Sequence, residues 1–144
     1  MTGHTSVLSD RRFDVIIIGA GISGINTAYR IQSELPGYSY AILEARDAIG
    51  GTWDLFRYPG IRSDSDLFTF GFSWQPWNQD NPIAEGGSIT KYMRDTASQY
   101  GIDSHILFQH HLTSADWSSA ENTWSLNVEH GGKDKTYTAR FVVF

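Results

Sequence analysis

The chain has no cysteine among its 144 residues. Disulfides, thiolate zinc sites, iron–sulfur clusters and cysteine nucleophiles are therefore excluded. A cysteine-free chain also suits the cytoplasm, the compartment we expect. No apolar run approaches the roughly 20 residues that a bilayer-spanning helix needs, so no membrane segment is expected. Cations are scarce relative to anions: 11 Lys and Arg stand against 16 Asp and Glu, a formal net charge of −5. That balance argues against nucleic acid, or an anionic membrane, as the main partner. Met1 to Arg12 (MTGHTSVLSDRR) lacks the apolar centre of a signal peptide. Residues 1–12 are expected to be a flexible tail. No internal repeat or low-complexity tract is visible.

What is present is a chain long enough for one core, with 40% apolar residues. It is rich in rings: five Trp, seven Tyr and eight Phe. The stretch from Phe13 to Glu44 organises the rest. An apolar run, Val15 to Ile18, feeds Gly19-Ala20-Gly21-Ile22-Ser23-Gly24. Helical periodicity follows from about Ile22 to Leu35, with Ile22, Ile25, Ala28 and Tyr29 on one face. Pro36 and Gly37 stop the helix, and Ser39 to Leu43 reads as a second strand ending on Glu44. Strand, glycine turn, helix, strand and acid make up the dinucleotide-binding fingerprint. Gly19 permits the tight turn, Gly21 lets backbone approach a pyrophosphate, and Gly24 lets helix and strand pack closely. Ser23 lies in the same turn. The helix N-terminus offers free N–H groups and the positive end of its dipole. Glu44 is placed to accept hydrogen bonds from a ribose diol, and its charge disfavours a 2′-phosphate. The first site thus favours FAD or NAD over NADP.

A second glycine doublet, Gly50-Gly51, follows Glu44 and precedes Thr52-Trp53-Asp54. It reads either as another phosphate-binding loop or as a simple chain reversal. Leu55 to Trp77 is aromatic-rich and irregular, able to wall a flat ring or to fill a core. Ser88 reads as a helix cap, and Ile89 to Tyr100 as an amphipathic helix ended by Gly101. Ile106 to Leu112 reads as a third strand. From Thr113 the period changes to two, predicting strands at 115–117, 123–129 and 136–144. Trp117 and Trp124 are expected to pair across the first turn, and Phe141 to Phe144 to form a buried parallel strand. Asp64-Ser65-Asp66 lacks a histidine or glutamate at helpful spacing, so no metal is expected there. His105, His110 and His111 have no acid at triad or zincin spacing and read as surface or core residues.

The segments GAGISG, ILE, GGTWDLFRYPGIRSDSD, YGIDSHILF and ADWSSAENTW resemble the class B flavoprotein monooxygenases. The likeness is greatest to the Baeyer–Villiger type, in the branch that holds the ethionamide-activating enzyme. GGTW followed by RYPG-x-R-x-D is far more specific than the glycine fingerprint. The resemblance implies an α/β, Rossmann-like FAD-binding fold with a parallel sheet and an inserted β-meander, C-terminally incomplete. Residues 13–144 would be the N-terminal part of the FAD domain, with the NADPH-binding domain absent. It implies a reaction in which NADPH reduces FAD and O₂ adds to give a C4a-peroxyflavin. That species oxygenates an apolar ketone to an ester or lactone, or a sulfide or thioamide at sulfur.

Roles follow the matching residues. The resemblance gives Gly19, Gly21, Ser23 and Gly24 to the FAD pyrophosphate and Glu44 to the adenosine ribose. Gly51, Thr52, Trp53, Asp54 and Leu55 would line the ribityl and flavin side, and Leu112 would meet the adenine region. Arg62, Ser63 and Asp64 would lie beside flavin and nicotinamide, with Asp64 the catalytic acid that pairs with an active-site arginine. Phe70 falls at a flavin-proximal position. Family members are much longer: the second glycine fingerprint, the FxGxxxHxxxW/P signature and the later arginine have no match here. The chain alone is therefore expected to be catalytically silent and to need a missing remainder. A non-catalytic FAD-binding module and another FAD-dependent oxidoreductase are the alternatives. Disulfide reductases are disfavoured because their cysteine pair is absent.

Overall fold

The computed structural model describes residues 11–144. Residues 1–10 of the expected tail lie outside the described residues, and Arg12 already opens a strand. Six strands form one sheet: β1 (Arg12–Ile18), β2 (Tyr40–Leu43), β3 (Ile106–Leu107), β4 (His111–Ser118), β5 (Thr123–His130) and β6 (Lys133–Val143). Their order is β3-β2-β1-β6-β5-β4. The first four in that order run parallel, and β6, β5 and β4 form the antiparallel meander. Four α-helices and one 3-10 turn (Asp103–His105) complete the fold of the described residues: α1 (Ile22–Glu34), α2 (Thr52–Leu55), α3 (Leu67–Phe70) and α4 (Gly86–Gln99). The Rossmann-like class with a β-meander is thus observed.

The alternating side chains of β1 explain the layering. Val15 and Ile17 face Ile25, Ala28 and Ile31 of α1 and Ile89 and Met93 of α4. Ile16, of the other parity, faces Leu126, Val128, Tyr137 and Ala139 of the meander; Phe13, at the start of the strand, joins that cluster although it shares the parity of Val15 and Ile17. The central strands are buried on both faces and so read as continuous apolar runs. The long β6 belongs to both halves. It pairs with β5 through Ala139 and with β1 from Thr138 onward.

Three expectations are corrected. Ile106 to Leu112 is not one strand: Gln109 has φ 55° and turns the chain between β3 and β4. The backbone N–H groups of Gln109 and His110 are taken by the carbonyls of Arg46 and Glu44, which fixes that turn across the end of β2. Second, α4 begins at Gly86, before Ser88, with Glu85 as its N-cap residue. Third, β6 does end in parallel pairing with β1, but it is not fully buried. Phe141 is 51% and Phe144 78% exposed. Past Ala139 the strand has β1 on one side and no described strand on the other. Trp117 and Trp124 pair as expected, with ring centroids 5.6 Å apart.

The aromatic segment divides. Phe72 and Trp77 are buried, and Trp74 stacks on Tyr29 of α1 at 3.8 Å. Trp74 Nε1 donates to Asn26 Oδ1 at 2.8 Å, so the indole satisfies its one polar atom against α1. These rings fill the core between α1 and α4. Phe70 and Trp53 stand apart, in an edge contact at 6.1 Å.

Candidate dinucleotide site

The site forms where β1 and β2 end. Gly19 leaves β1 with φ 98°, and its N–H donates to Leu43 O at 2.9 Å. A Cβ on Gly24 would lie 1.9 Å from Gly19 O. No side chain fits there, which is why the helix sits so close to the strand. Gly21 is the N-cap residue of α1 and supplies no side-chain cap. The first N–H groups of α1 are therefore left for the cleft.

The second glycine turn lies directly against the first. Gly50 N–H donates to Ala20 O at 3.1 Å. Gly51 has φ 55°, and a Cβ on it would sit 3.1 Å from Gly21 Cα. The two backbones are in contact, with no side chain between them. Gly19, Gly21, Ser23, Gly24, Gly51, Thr52, Trp53 and Phe70 are brought together around one cleft of about 460 Å³. This is a cradle of bare backbone, suited to a pyrophosphate.

Glu44 is buried beneath the first turn. Its Oε2 accepts from Ala20 N–H at 2.7 Å and its Oε1 from Arg46 N–H at 2.9 Å. A carboxylate has about four acceptor positions, so lone pairs remain for a ribose diol. Asp54 is buried too, but its carboxylate is held between Arg46, at 2.8 Å, and Arg57, at 2.7 Å. The hydrogen bond from Arg46 is the main cause that holds its carboxyl below the usual value, and burial opposes the shift. Leu55 is 53% exposed and does not line the cleft.

Arg62, Ser63 and Asp64 lie apart, in a second recess of about 570 Å³ with Tyr58 and Ile83. Ser63 is buried; its N–H donates to Ala84 O, and its Oγ accepts from Ala84 N–H. It clips this loop to the segment before α4. Arg62 bridges Glu85 through backbone, and Asp64 is exposed, with no ion pair among the described residues. Leu112 lies on β4 opposite Val128, beside a bulge and against the second core face. It does not line the cleft. Sequence reasoning missed Arg46 and Arg57 as the partners of Asp54. The i, i+3 spacing of Asp54 and Arg57 was a signal, whereas nothing local pointed to Arg46.

Among the described residues, no group of three or more His, Cys, Asp or Glu could hold a metal. No described helix is long and apolar enough to cross a membrane.

A glycine turn at a helix N-terminus, an acid-tipped second strand and a second glycine turn touching the first define a dinucleotide-binding α/β domain. The family described as an NAD(P)-binding Rossmann-like domain matches residues 17–83. The chain is 55% identical over 130 residues to the FAD-containing monooxygenase EthA of Mycolicibacterium smegmatis, covering 90% of this chain and 26% of that protein. It is 46% identical over 136 residues to a putative FAD-containing monooxygenase, MymA, of Mycobacterium tuberculosis, covering 93% and 28%. Among solved structures, an oxidised steroid monooxygenase bound to NADP superposes with a TM-score of 0.82 at 28% identity, covering 91% of this chain and 25% of that one. A cyclohexanone-bound cyclohexanone monooxygenase gives 0.82 at 29%, covering 93% and 26%. The chain is thus similar in sequence to a portion of FAD-containing monooxygenases, and in fold to a portion of steroid and cyclohexanone monooxygenases. It spans about a quarter of the length of the curated relatives it matches.

Proposed function

We propose that this chain binds FAD and forms the FAD-binding portion of an NADPH- and O₂-dependent monooxygenase of the Baeyer–Villiger type. The observation that carries the reading is the contact between Gly21 and Gly51. It lays two bare backbone turns along one cleft, which a lone nicotinamide-binding unit does not need. Bound FAD would supply the redox chemistry, taking a hydride from NADPH and activating O₂ for insertion into an organic substrate. The chain's own residues bind and orient. The first N–H groups of α1, with Gly19, Gly21, Ser23 and Gly24, hold the pyrophosphate. Glu44 accepts from the ribose diol while fixing Ala20. Gly51, Thr52, Trp53 and Phe70 border the flavin-side half of the cleft. We assign Asp54 and Leu55 to its outer support and Leu112 to the adenine side. Arg62, Ser63 and Asp64 are assigned to the flavin–nicotinamide side, with Asp64 the acid that orients an arginine.

The full redox cycle is proposed for a protein of the relatives' length, acting on an apolar ketone, sulfide or thioamide in the cytoplasm. Residues 13–144 are proposed as the N-terminal part of its FAD domain. Titration of the purified chain with FAD, followed by flavin fluorescence and by native mass, tests the reading. The expected result is a 16.2 kDa chain carrying one FAD. Binding of NADPH in place of FAD, or of neither, would overturn it.

A further inference from the structure

The proposed site places FAD along the two glycine turns, and the following inference rests on that reading. Asp54 lies just past the second turn, in the first turn of α2. Its carboxylate is occupied on both oxygens. Oδ2 accepts from Arg46 Nη2 at 2.8 Å and Nε at 3.3 Å, and Oδ1 accepts from Arg57 Nη2 at 2.7 Å. Its main-chain carbonyl accepts from Arg57 Nε at 3.0 Å. Asp54 is only 5% exposed, whereas the Arg57 side chain is 72% exposed.

The two arginines come from chain segments on either side of the second glycine turn. Arg46 follows Glu44 by two residues, and its N–H is bound by Glu44 Oε1. Arg57 opens the Arg57-Tyr58-Pro59-Gly60 segment that leads to Arg62 and Asp64. Asp54 also packs against the glycine doublet itself: a Cβ on Gly50 would lie 2.8 Å from Asp54 Cβ. One buried residue therefore joins two arginine side chains through its carboxylate and packs on the glycine doublet through its Cβ.

We infer that Asp54 is a positioning residue and not a ligand of the cofactor. It clamps the ribose-binding end through Arg46, and the turn toward Asp64 through Arg57, onto the second glycine turn. The two halves of the site are thereby held at one separation, matched to a whole dinucleotide. Each arm is a charge-assisted pair with a buried partner, the stronger kind of hydrogen bond.

The test is calorimetric binding of ADP and of FAD to the chain and its variants, with near-ultraviolet circular dichroism to confirm folding. ADP probes the adenosine end alone. Arg57→Gln should weaken FAD about fivefold or more and leave ADP within about twofold, because only the flavin-side arm is cut. Arg57→Lys, which keeps a charged bond to the Asp54 carboxylate, should recover FAD affinity to within about threefold of wild type. Asp54→Asn removes the charge from both arms and one of the two acceptors, and should weaken FAD about tenfold or more and ADP by a smaller factor. A loss of packing in general would weaken both ligands in step, and that result for Arg57→Gln overturns the inference. So does unchanged FAD binding in both variants while the wild type binds FAD. If Asp54→Asn fails to fold, the exposed Arg57 variants decide the matter alone. A folded wild-type chain that binds neither ligand overturns the proposed site and this inference with it.

Discussion

The cleft between the glycine turns and the recess around Asp64 are built in opposite ways. In the cleft, backbone meets backbone: Gly24 against Gly19, Gly51 against Gly21, with the Glu44 carboxylate pinned beneath. No side chain stands between the backbones there, and a Cβ on Gly24 would have no room. In the recess, only Ser63 is buried, and it acts as a clip to Ala84. Arg62 and Asp64 are exposed and project from a loop. A rigid cradle suits a ligand that stays bound. An open loop suits side chains that must meet groups from elsewhere.

Substitutions should separate the two regions. The largest effect is expected from Gly24→Ala, whose Cβ has no space beside Gly19 O. It should cost at least about 3 kcal/mol in urea unfolding and abolish FAD binding. Gly51→Ala must hold φ 55° and ψ −122°, a glycine conformation outside the left-handed helical basin, at a cost on the order of 1–3 kcal/mol, and its Cβ presses on Gly21. FAD affinity should fall about tenfold or more, as titration would show. A Gly51→Ala chain with wild-type affinity would break the idea of a two-turn cradle.

A smaller effect should come from pH. His110 is buried, stacks on His130 at 4.1 Å, and places Nδ1 2.6 Å from Phe108 O. Burial is the main cause that lowers its pKa below 6.5, and the charges of His130 and Lys135 add to it. In the unfolded chain the group therefore binds a proton more readily. Its contribution to stability is whole above about 6.5 and is lost as pH falls from there toward the depressed folded value. Unfolding free energies measured across that range should rise with pH, and His110→Gln should flatten the slope. The smallest effect should come from Asp64→Ala: stability within about 0.5 kcal/mol of wild type and FAD affinity unchanged. A collapse of FAD binding there would erase the distinction between cradle and recess.

The first half of the site was legible because its signals are local. Val15 to Ile18, the glycine turn, the α1 periodicity and Glu44 each announce a backbone state from neighbouring residues. The Trp117–Trp124 pair across a short turn was legible for the same reason, as was the parallel-strand character of Phe141 to Phe144, but not the strand it pairs with. Contacts distant in sequence were not. Composition left Phe72, Trp74 and Trp77 between ring wall and core, and only their packing on Tyr29 and Tyr92 decided it. The turn at Gln109 escaped notice because a glutamine at positive φ carries no signature. It is held by carbonyls from Glu44 and Arg46, more than sixty residues earlier.

By itself the sequence determined that a nucleotide-binding turn forms, since glycine spacing and apolar periodicity act through neighbouring residues. It also carried the resemblance to flavin monooxygenases, through GGTW and RYPG-x-R-x-D. Only the tertiary structure decided that Gly21 touches Gly51, that Asp54 faces two arginines and not the cleft, and that Phe141 stays exposed. Arg57 aside, each of those depends on which segments the fold brings together: the loops that follow β1 and β2 meet over the strand ends, and β6 runs past β5 along β1.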